Sequence, residues 1–403
     1  MASLTETEAG IIHWLVRQGL TSGDEAAVLA GFCERLLAGG LPLWRVATGA
    51  ELLHPVLDAR GCRWLRGQGV VKEDFSRLDA DAEREADWQA SPFYRLMYGQ
   101  EPELRRRLDG SGTGEFPLLD RFRAEGASDY LALATAYGDQ VLFGELRGML
   151  CSFVTDRPGG FLDAEVDLLR RLTPVLALTF RSIAGVETAG TLMATYLGQD
   201  AGRRVLAGAI GRGVAETVRA VLWYSDLEGF TRIADETPPA ELLALLNDYA
   251  EVVVDRIHAH GGQVLKFMGD GVLAMFPLAD GRMPCARALD AATAALTAAG
   301  RLGGERAAVR RPIAGMHVAL HVGDVLYGNI GSRDRLDFTV VGPAVNEVAR
   351  IEALCRTLEQ RVIVSAAFAE EAGEARERLV SLGRFALKGV RRPEELFTVD
   401  PGG

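Results

Sequence analysis

The chain has 403 residues, of which 48% are hydrophobic and 25% charged, with a net charge of −11. That balance belongs to a folded globular protein of two or three domains and excludes a disordered chain. Without a basic excess to neutralise phosphates, nucleic acid is not an expected partner.

The N-terminus, Met-Ala-Ser-Leu-Thr-Glu, lacks the positive stretch of a signal peptide. No apolar run reaches the roughly 18 residues of a membrane span. The five cysteines are scattered and odd in number, which reads as free thiols in a reducing compartment and predicts a cytoplasmic protein. Of 44 basic residues only Lys72, Lys266 and Lys388 are lysines. Where arginine is the default, a retained lysine points to a need for the compact ammonium head.

Ser22-Gly-Asp-Glu25 reads as a capping box before a helix with Val28, Phe32 and Leu36 on its apolar face, ended by Gly39-Gly40. Strands are expected near Leu43 to Val46 and Cys62 to Leu65, then a charged loop over about 71–90. Further strands are expected at Tyr130 to Thr135 and Gly148 to Val154. The turn Asp156-Arg-Pro-Gly-Gly160 leads into a helix with Val166, Leu169, Leu172, Leu176 and Ile183 on one face, kinked at Pro174. This stripe suggests a helix paired with another helix across a dimer. Trp14, Trp44, Trp64 and Trp88 either fill a core or line a pocket, with the core favoured for most.

Residues 1–185 thus read as an α/β unit, and they resemble a divergent GAF domain through Ser91-Pro-Phe-Tyr-Arg95 and Thr155-Asp-Arg-Pro-Gly-Gly-Phe161. The resemblance implies a regulatory domain that senses an unidentified small ligand or signal. Residues 186–215 carry Gly190, Gly198, Gly202, Gly208, Gly211 and Gly213 and read as a jointed, partly helical connector.

In residues 216–403 the pattern is sharper. A strand from Val218 to Tyr224 runs into Ser225-Asp-Leu-Glu-Gly-Phe-Thr231, and a helix comes next with Leu242, Leu246, Tyr249, Val253 and Ile257 on one face. Gln263 to Phe276 reads as a hairpin around an Asp-Gly turn. A helix over about 284–299, strands near 314–322 and 336–341 and a helix from Ala344 to Cys355 complete a β-α-β-β-α-β order. The fold class is α/β (α+β), with a ferredoxin-like core.

In that order, strand-terminal Asp226 and hairpin-tip Asp270 lie on adjacent strands and converge at one sheet edge. Two convergent carboxylates are what Mg²⁺ takes together with phosphate oxygens and water. A pair of such ions about 4 Å apart activates an attacking hydroxyl and steadies a leaving phosphate. Gly229, Phe230 and Thr231 open the next helix, where backbone N–H groups receive anions. Taken singly, an Asp-Gly hairpin is usually a plain turn and a strand-terminal Asp a helix cap. His317 and His321 share a strand face but stand roughly 13 Å apart, too far to chelate one metal. Gly323, Gly328 and Gly331 lack the Gly-Lys-Ser/Thr of a P-loop and are expected to allow a tight hairpin.

Residues 216–400 resemble the catalytic domain of class III nucleotide cyclases. The motifs that carry the resemblance stand in the family's order: Ser225 to Thr231, Lys266-Phe-Met-Gly-Asp-Gly271, Asp337-Phe-Thr-Val-Val-Gly342, Val345-Asn-Glu-Val-Ala-Arg350 and Leu387-Lys-Gly389. The resemblance implies that Asp226 and Asp270, helped by the Leu227 carbonyl, bind two Mg²⁺ (or Mn²⁺) ions. It assigns Lys266 to adenine N1 and Asp337 to the 6-amino group, Asn346 to the ribose, Arg350 to the α-phosphate in the transition state, and Lys388, with Arg333, to the outer phosphates. It further implies a homodimer with shared active sites. Guanylate cyclases typically carry Glu and Cys where this chain has Lys266 and Asp337, so ATP is the expected substrate. The rival expectations are a guanylate or relaxed-specificity cyclase, and a nucleotide-binding regulator without turnover. No Gly-Gly-Asp/Glu-Glu-Phe run is present, which counts against a diguanylate cyclase.

Overall fold

The computed structural model describes all residues except 1, 77–81, 100, 111–113, 139–147, 279–282, 390–392 and 401–403. The chain divides into two compact units, Met1–Leu192 and Met193–Gly403.

The first unit begins with helices α1 (Ala2–Thr21) and α2 (Glu25–Ala38) and strands β1 (Arg45–Glu51), β2 (Leu57–Leu65) and β3 (Gly69–Ser76). Next come α3 (Ala82–Gln89), α4 (Pro92–Tyr98), β4 (Glu103–Arg107), α5 (Pro117–Ala124), β5 (Asp129–Ala136) and β6 (Gly148–Thr155), and then α6 (Asp163–Leu197). The strands form one antiparallel sheet in the order β3-β2-β1-β6-β5-β4. Because side chains alternate along a strand, the sheet buries two different faces. Val46, Cys62, Trp64, Leu131 and Phe153 pack against α1, α2 and α6. Tyr130, Ala132, Leu150 and Val154 pack against α4 and α5 through Leu96, Leu119 and Phe122.

Three expectations for this unit need correction. The cap of α2 is Asp24, whose carboxylate accepts from the Ala26 N–H at 3.1 Å, while the Ser22 hydroxyl accepts from Asp24 itself. The stretch expected as a charged loop holds β3 and α3 on either side of residues 77–81, which lie outside the described residues. An edge strand such as β3 keeps polar side chains in water, so Lys72, Glu73 and Asp74 leave no period-two signal. Finally, Val166, Leu169, Leu172, Leu176 and Ile183 are buried in this unit's own core, not on a helix pair across a dimer. An apolar stripe says that a helix is covered, not by what.

The second unit holds α7 (Gln199–Leu206), β7 (Ala215–Glu228), α8 (Phe230–Glu236), α9 (Pro239–Ala259), β8 (Gln263–Met268), β9 (Gly271–Pro277) and α10 (Pro284–Ala308). It continues with β10 (Gly315–Gly331), β11 (Leu336–Val341), α11 (Pro343–Thr357), β12 (Val362–Ser365), α12 (Ala366–Glu371), β13 (Leu379–Phe385) and β14 (Glu394–Val399). The sheet order is β13-β14-β12-β10-β7-β9-β8, with β11 paired to β10. Its centre, β10-β7-β9-β8, is the strand order of a ferredoxin-like fold, so this unit is α+β. On one face lie α9 and α10, where Ala288, Ala291, Ala292, Ala295 and Ala299 allow close approach; α11 and α7 cover the other. Part of the stretch expected as connector is therefore core, since Ala201 of α7 is buried beside Leu222 and Ile351.

Gly323 and Gly328 sit inside the continuous strand β10, with only Gly331 at its hairpin end. A Cβ on Gly323 would collide with Ala344, and one on Gly328 with the backbone of Val214 and Ala215. Close packing, not a turn, demands these two glycines. All five cysteines are free and buried. Among the described residues no helix is long and apolar enough to cross a membrane.

Candidate active site

Antiparallel pairing sets Ser225 of β7 opposite Val272 of β9, so the β8–β9 turn lies beside Asp226. Asp226 is not the strand's last residue, because β7 runs on to Glu228. Gly269 supplies the positive φ of 69° that the turn needs. Gly271 leaves room for the carboxylate, as a Cβ there would stand 3.3 Å from Asp226 Oδ1. The Leu227 N–H donates to Asp270 Oδ2 at 3.3 Å. Burial first, then the hydrogen bond and charge of Asp270 and the charge of Glu352, push the Asp226 carboxyl up to about 7; the Leu227 amide acts in the opposite sense. Among the described residues neither carboxylate is in an ion pair with a basic side chain. Such uncompensated hard oxygens fit a divalent ion such as Mg²⁺. Among the described residues no cluster of three or more His, Cys, Asp or Glu side chains is placed to hold a metal. An ion here would therefore need backbone and phosphate oxygens as well. A cavity of about 220 Å³, lined in part by Leu246, Tyr249 and Phe267, opens beside the two carboxylates.

Glu352 of α11 went unnoticed in the sequence. Burial and Asp270 raise its pKa, and its Oε1 stands 3.9 Å from His317 Nδ1. Its position two residues after Arg350 carries no motif signal.

Gly229, at φ 72°, ends β7 and caps α8, leaving the N–H groups of Phe230 and Thr231 at the helix start with no side-chain cap. Lys266 of β8 and Asp337 of β11 meet directly, Nζ donating to Oδ2 at 2.8 Å. Both are solvent-accessible, the side chains 35% and 56% exposed. Exposed Phe267, Met268 and Leu336 flank them in sequence. On α11, Asn346 is exposed and Arg350 half-buried, one turn apart. The Arg350 guanidinium lies against Gly389, where a Cβ would stand 3.4 Å from it. Lys388 is exposed next to that contact, and Arg333 is exposed at the β10–β11 turn. Three groupings result: Asp226 with Asp270, Lys266 with Asp337, and Arg350 with the Lys388-Gly389 turn.

His321 is no free ligand. Its Nδ1 meets Ser365 Oγ at 2.9 Å and its Nε2 meets Glu347 at 3.1 Å. Burial, with Arg219, pulls its pKa down to about 4, which keeps the ring neutral.

Residues 215–400 match the family described as the adenylate and guanylate cyclase catalytic domain. An uncharacterised protein of Mycobacterium tuberculosis is 38% identical over 175 residues, which cover 43% of this chain and 31% of that protein. The chain thus matches about a third of the length of such curated relatives. The crystal structure of the guanylyl cyclase Cya2 is 28% identical with a TM-score of 0.41, covering 46% of this chain and 93% of its own. The structure of a bacterial light-regulated adenylyl cyclase is 19% identical with a TM-score of 0.50, covering 88% of this chain and 93% of its own, a likeness of fold.

Proposed function

Since residues 215–400 belong to the adenylate and guanylate cyclase catalytic domain family, we propose that the protein is an adenylate cyclase, converting ATP to 3′,5′-cyclic AMP and pyrophosphate under control of its first unit. The observation that carries this reading is the Lys266–Asp337 pair, 2.8 Å apart and open to solvent. An ammonium offers a donor to adenine N1 and a carboxylate accepts from the 6-amino group. Guanine presents a protonated N1 and a 6-oxo group, so the same placement would set donor against donor.

In this reading the ribose 3′-oxygen attacks the α-phosphorus in line, forming the 3′-ester bond as the bond to pyrophosphate breaks. Asn346 orients the ribose, and Arg350 meets the charge that develops on the α-phosphate. Lys388, Arg333 and the N–H groups after Gly229 hold the outer phosphates. Two Mg²⁺ or Mn²⁺ ions held by Asp226, Asp270 and the Leu227 carbonyl would lower the pKa of the attacking hydroxyl and neutralise the leaving pyrophosphate. Most of the acceleration then comes from positioning and electrostatics.

The active sites are shared in a homodimer. Asp226 and Asp270 of one copy face Lys266, Asp337, Asn346, Arg350 and Lys388 of a second. Exposed Phe267, Met268, Leu336 and Val341, which neighbour the Lys266–Asp337 pair along β8 and β11, are apolar surface that a second copy would bury. The first unit acts as a GAF-like sensor, and five buried free thiols fit a cytoplasmic protein.

Chromatographic product analysis with ATP and GTP tests the reading. Cyclic AMP from ATP, well above cyclic GMP from GTP, is the expected result. Cyclic GMP as the main product would replace it with a guanylate cyclase, and binding of ATP without turnover with a nucleotide-binding regulator.

A further inference from the structure

The first sheet is hollowed on the face turned away from α1, α2 and α6. A cavity of about 850 Å³ lies there, lined on one side by strands and on the other by α3 and α4. Its floor is made of small residues: Ala47 and Gly49 on β1, Ala59 and Gly61 on β2. Trp88, Phe93 and Met97 line the helical side. Its volume and lining suit a small organic molecule.

Among the described residues one charge shielded from solvent in this cavity lacks a counter-ion. Arg45 lines it, with its guanidinium 4.8 Å from the centroid of the Phe122 ring. Two other lining arginines are ion-paired: Arg60 with Asp74 and Glu187, and Arg63 with Glu73. Arg84 is exposed and lies over the Phe75 ring. Among the described residues no carboxylate forms an ion pair with Arg45. Burial drags its pKa down to about 10, opposed by Tyr130 and Glu73 and reinforced by Arg63 and Arg121. A desolvated guanidinium is costly, and a ligand oxygen pair that meets its fork removes the cost.

We propose that this cavity binds a small organic monoanion, with a flat apolar body over the Ala-Gly floor and a carboxylate on Arg45. Among the described residues Arg45 is the one lining arginine that is neither exposed nor ion-paired, and it stands among the lining acids Glu51, Asp58, Glu73 and Glu85, which suits a single negative charge. A second negative charge on the ligand would be repelled by those acids. Such binding does not depend on whether the second unit turns over nucleotide.

Isothermal titration of the full chain with naphthylacetate and its neutral amide, naphthylacetamide, tests this directly. The two probes share shape and differ in charge. The acid is expected to occupy one site per chain and to bind about tenfold or more tighter than the amide, as a charge-assisted hydrogen bond implies. Arg45→Gln should erase that preference and leave amide binding in place. Arg45→Lys should retain part of it, and Ala47→Leu, which fills the floor, should weaken both probes. Equal affinities for the two probes, a preference that survives Arg45→Gln, or no saturable binding of either overturns the proposal. The wild-type comparison stands even if Arg45→Gln fails to fold.

Discussion

At the scale of single residues, purine choice comes down to which donors and acceptors meet the base edge. Lys266→Glu together with Asp337→Cys reverses both at once. ATP turnover should collapse, and the residual activity should shift toward GTP, since each lost polar contact costs about 1–3 kcal/mol. A double variant with unchanged ATP preference in a competition assay would refute the base-reading roles. A second residue effect concerns Glu25, the first residue of α2. Burial pushes its carboxyl up to about 7, with Arg60 and Lys72 opposing that shift and Glu187 and Asp74 adding to it. The folded chain therefore holds this proton to a higher pH than the unfolded chain does. Its contribution to stability is fully present below the ordinary value of 4.5 and is lost as pH rises through about 7. Glu25→Gln, which cannot ionise, should flatten the fall in melting temperature between those two pH values. Thermal melts of both proteins across that window measure it, and parallel curves would contradict the assignment.

At the scale of elements, α6 is the piece whose role depends most on continuity. It runs 35 residues without a break, past Pro174 and Gly190, and its first half is anchored in the core of the first unit. Arg60, between the cavity-floor residues Ala59 and Gly61 on β2, donates to Glu187 of this helix at 2.7 Å. In a continuous helix each inserted residue rotates the downstream chain by about 100°. One residue inserted after Gly190 should therefore change basal cyclase activity strongly, whereas four, which come within about 40° of a full turn, should restore most of it. Activity measured across a series of one to four insertions checks this, and a flat series would mean that the helix is a passive tether.

At the scale of the whole molecule, the proposal of a homodimer with shared sites makes a quantitative prediction. Under that proposal Asp226→Ala removes the cation site from both active sites of its homodimer, and Arg350→Ala removes the arginine from both. Each variant alone should be nearly inactive. After subunit exchange half of the dimers are mixed, and each mixed dimer regains one of its two sites. Activity should recover to about a quarter of wild type if the sites act independently. No recovery despite mixed dimers seen by mass spectrometry, or full activity in a monomer, would exclude shared sites.

Much of the second unit was legible in the sequence because its constraints are local. The Asp-Gly turn, the strand before Asp226 and the four-residue spacing of Asn346 and Arg350 each depend on near neighbours. The adjacency of Asp226 and Asp270 came from β-α-β-β order alone. Contact between distant segments is the part that required the tertiary structure. The charge of Glu352 acts on the carboxylate pair only because α11 packs on the sheet, and no spacing encodes that. Gly323 and Gly328 resembled turn residues until Ala344 and Val214 were seen against them. In the first unit, periodicity identified the buried face of α6, but only packing showed that the face is covered within the same unit. Arg45, without an ion pair among the described residues, and its hollow floor of Ala47, Gly49, Ala59 and Gly61 are individually ordinary in the sequence. A cavity is a property of its surroundings, and its charge balance is set by side chains far apart along the chain.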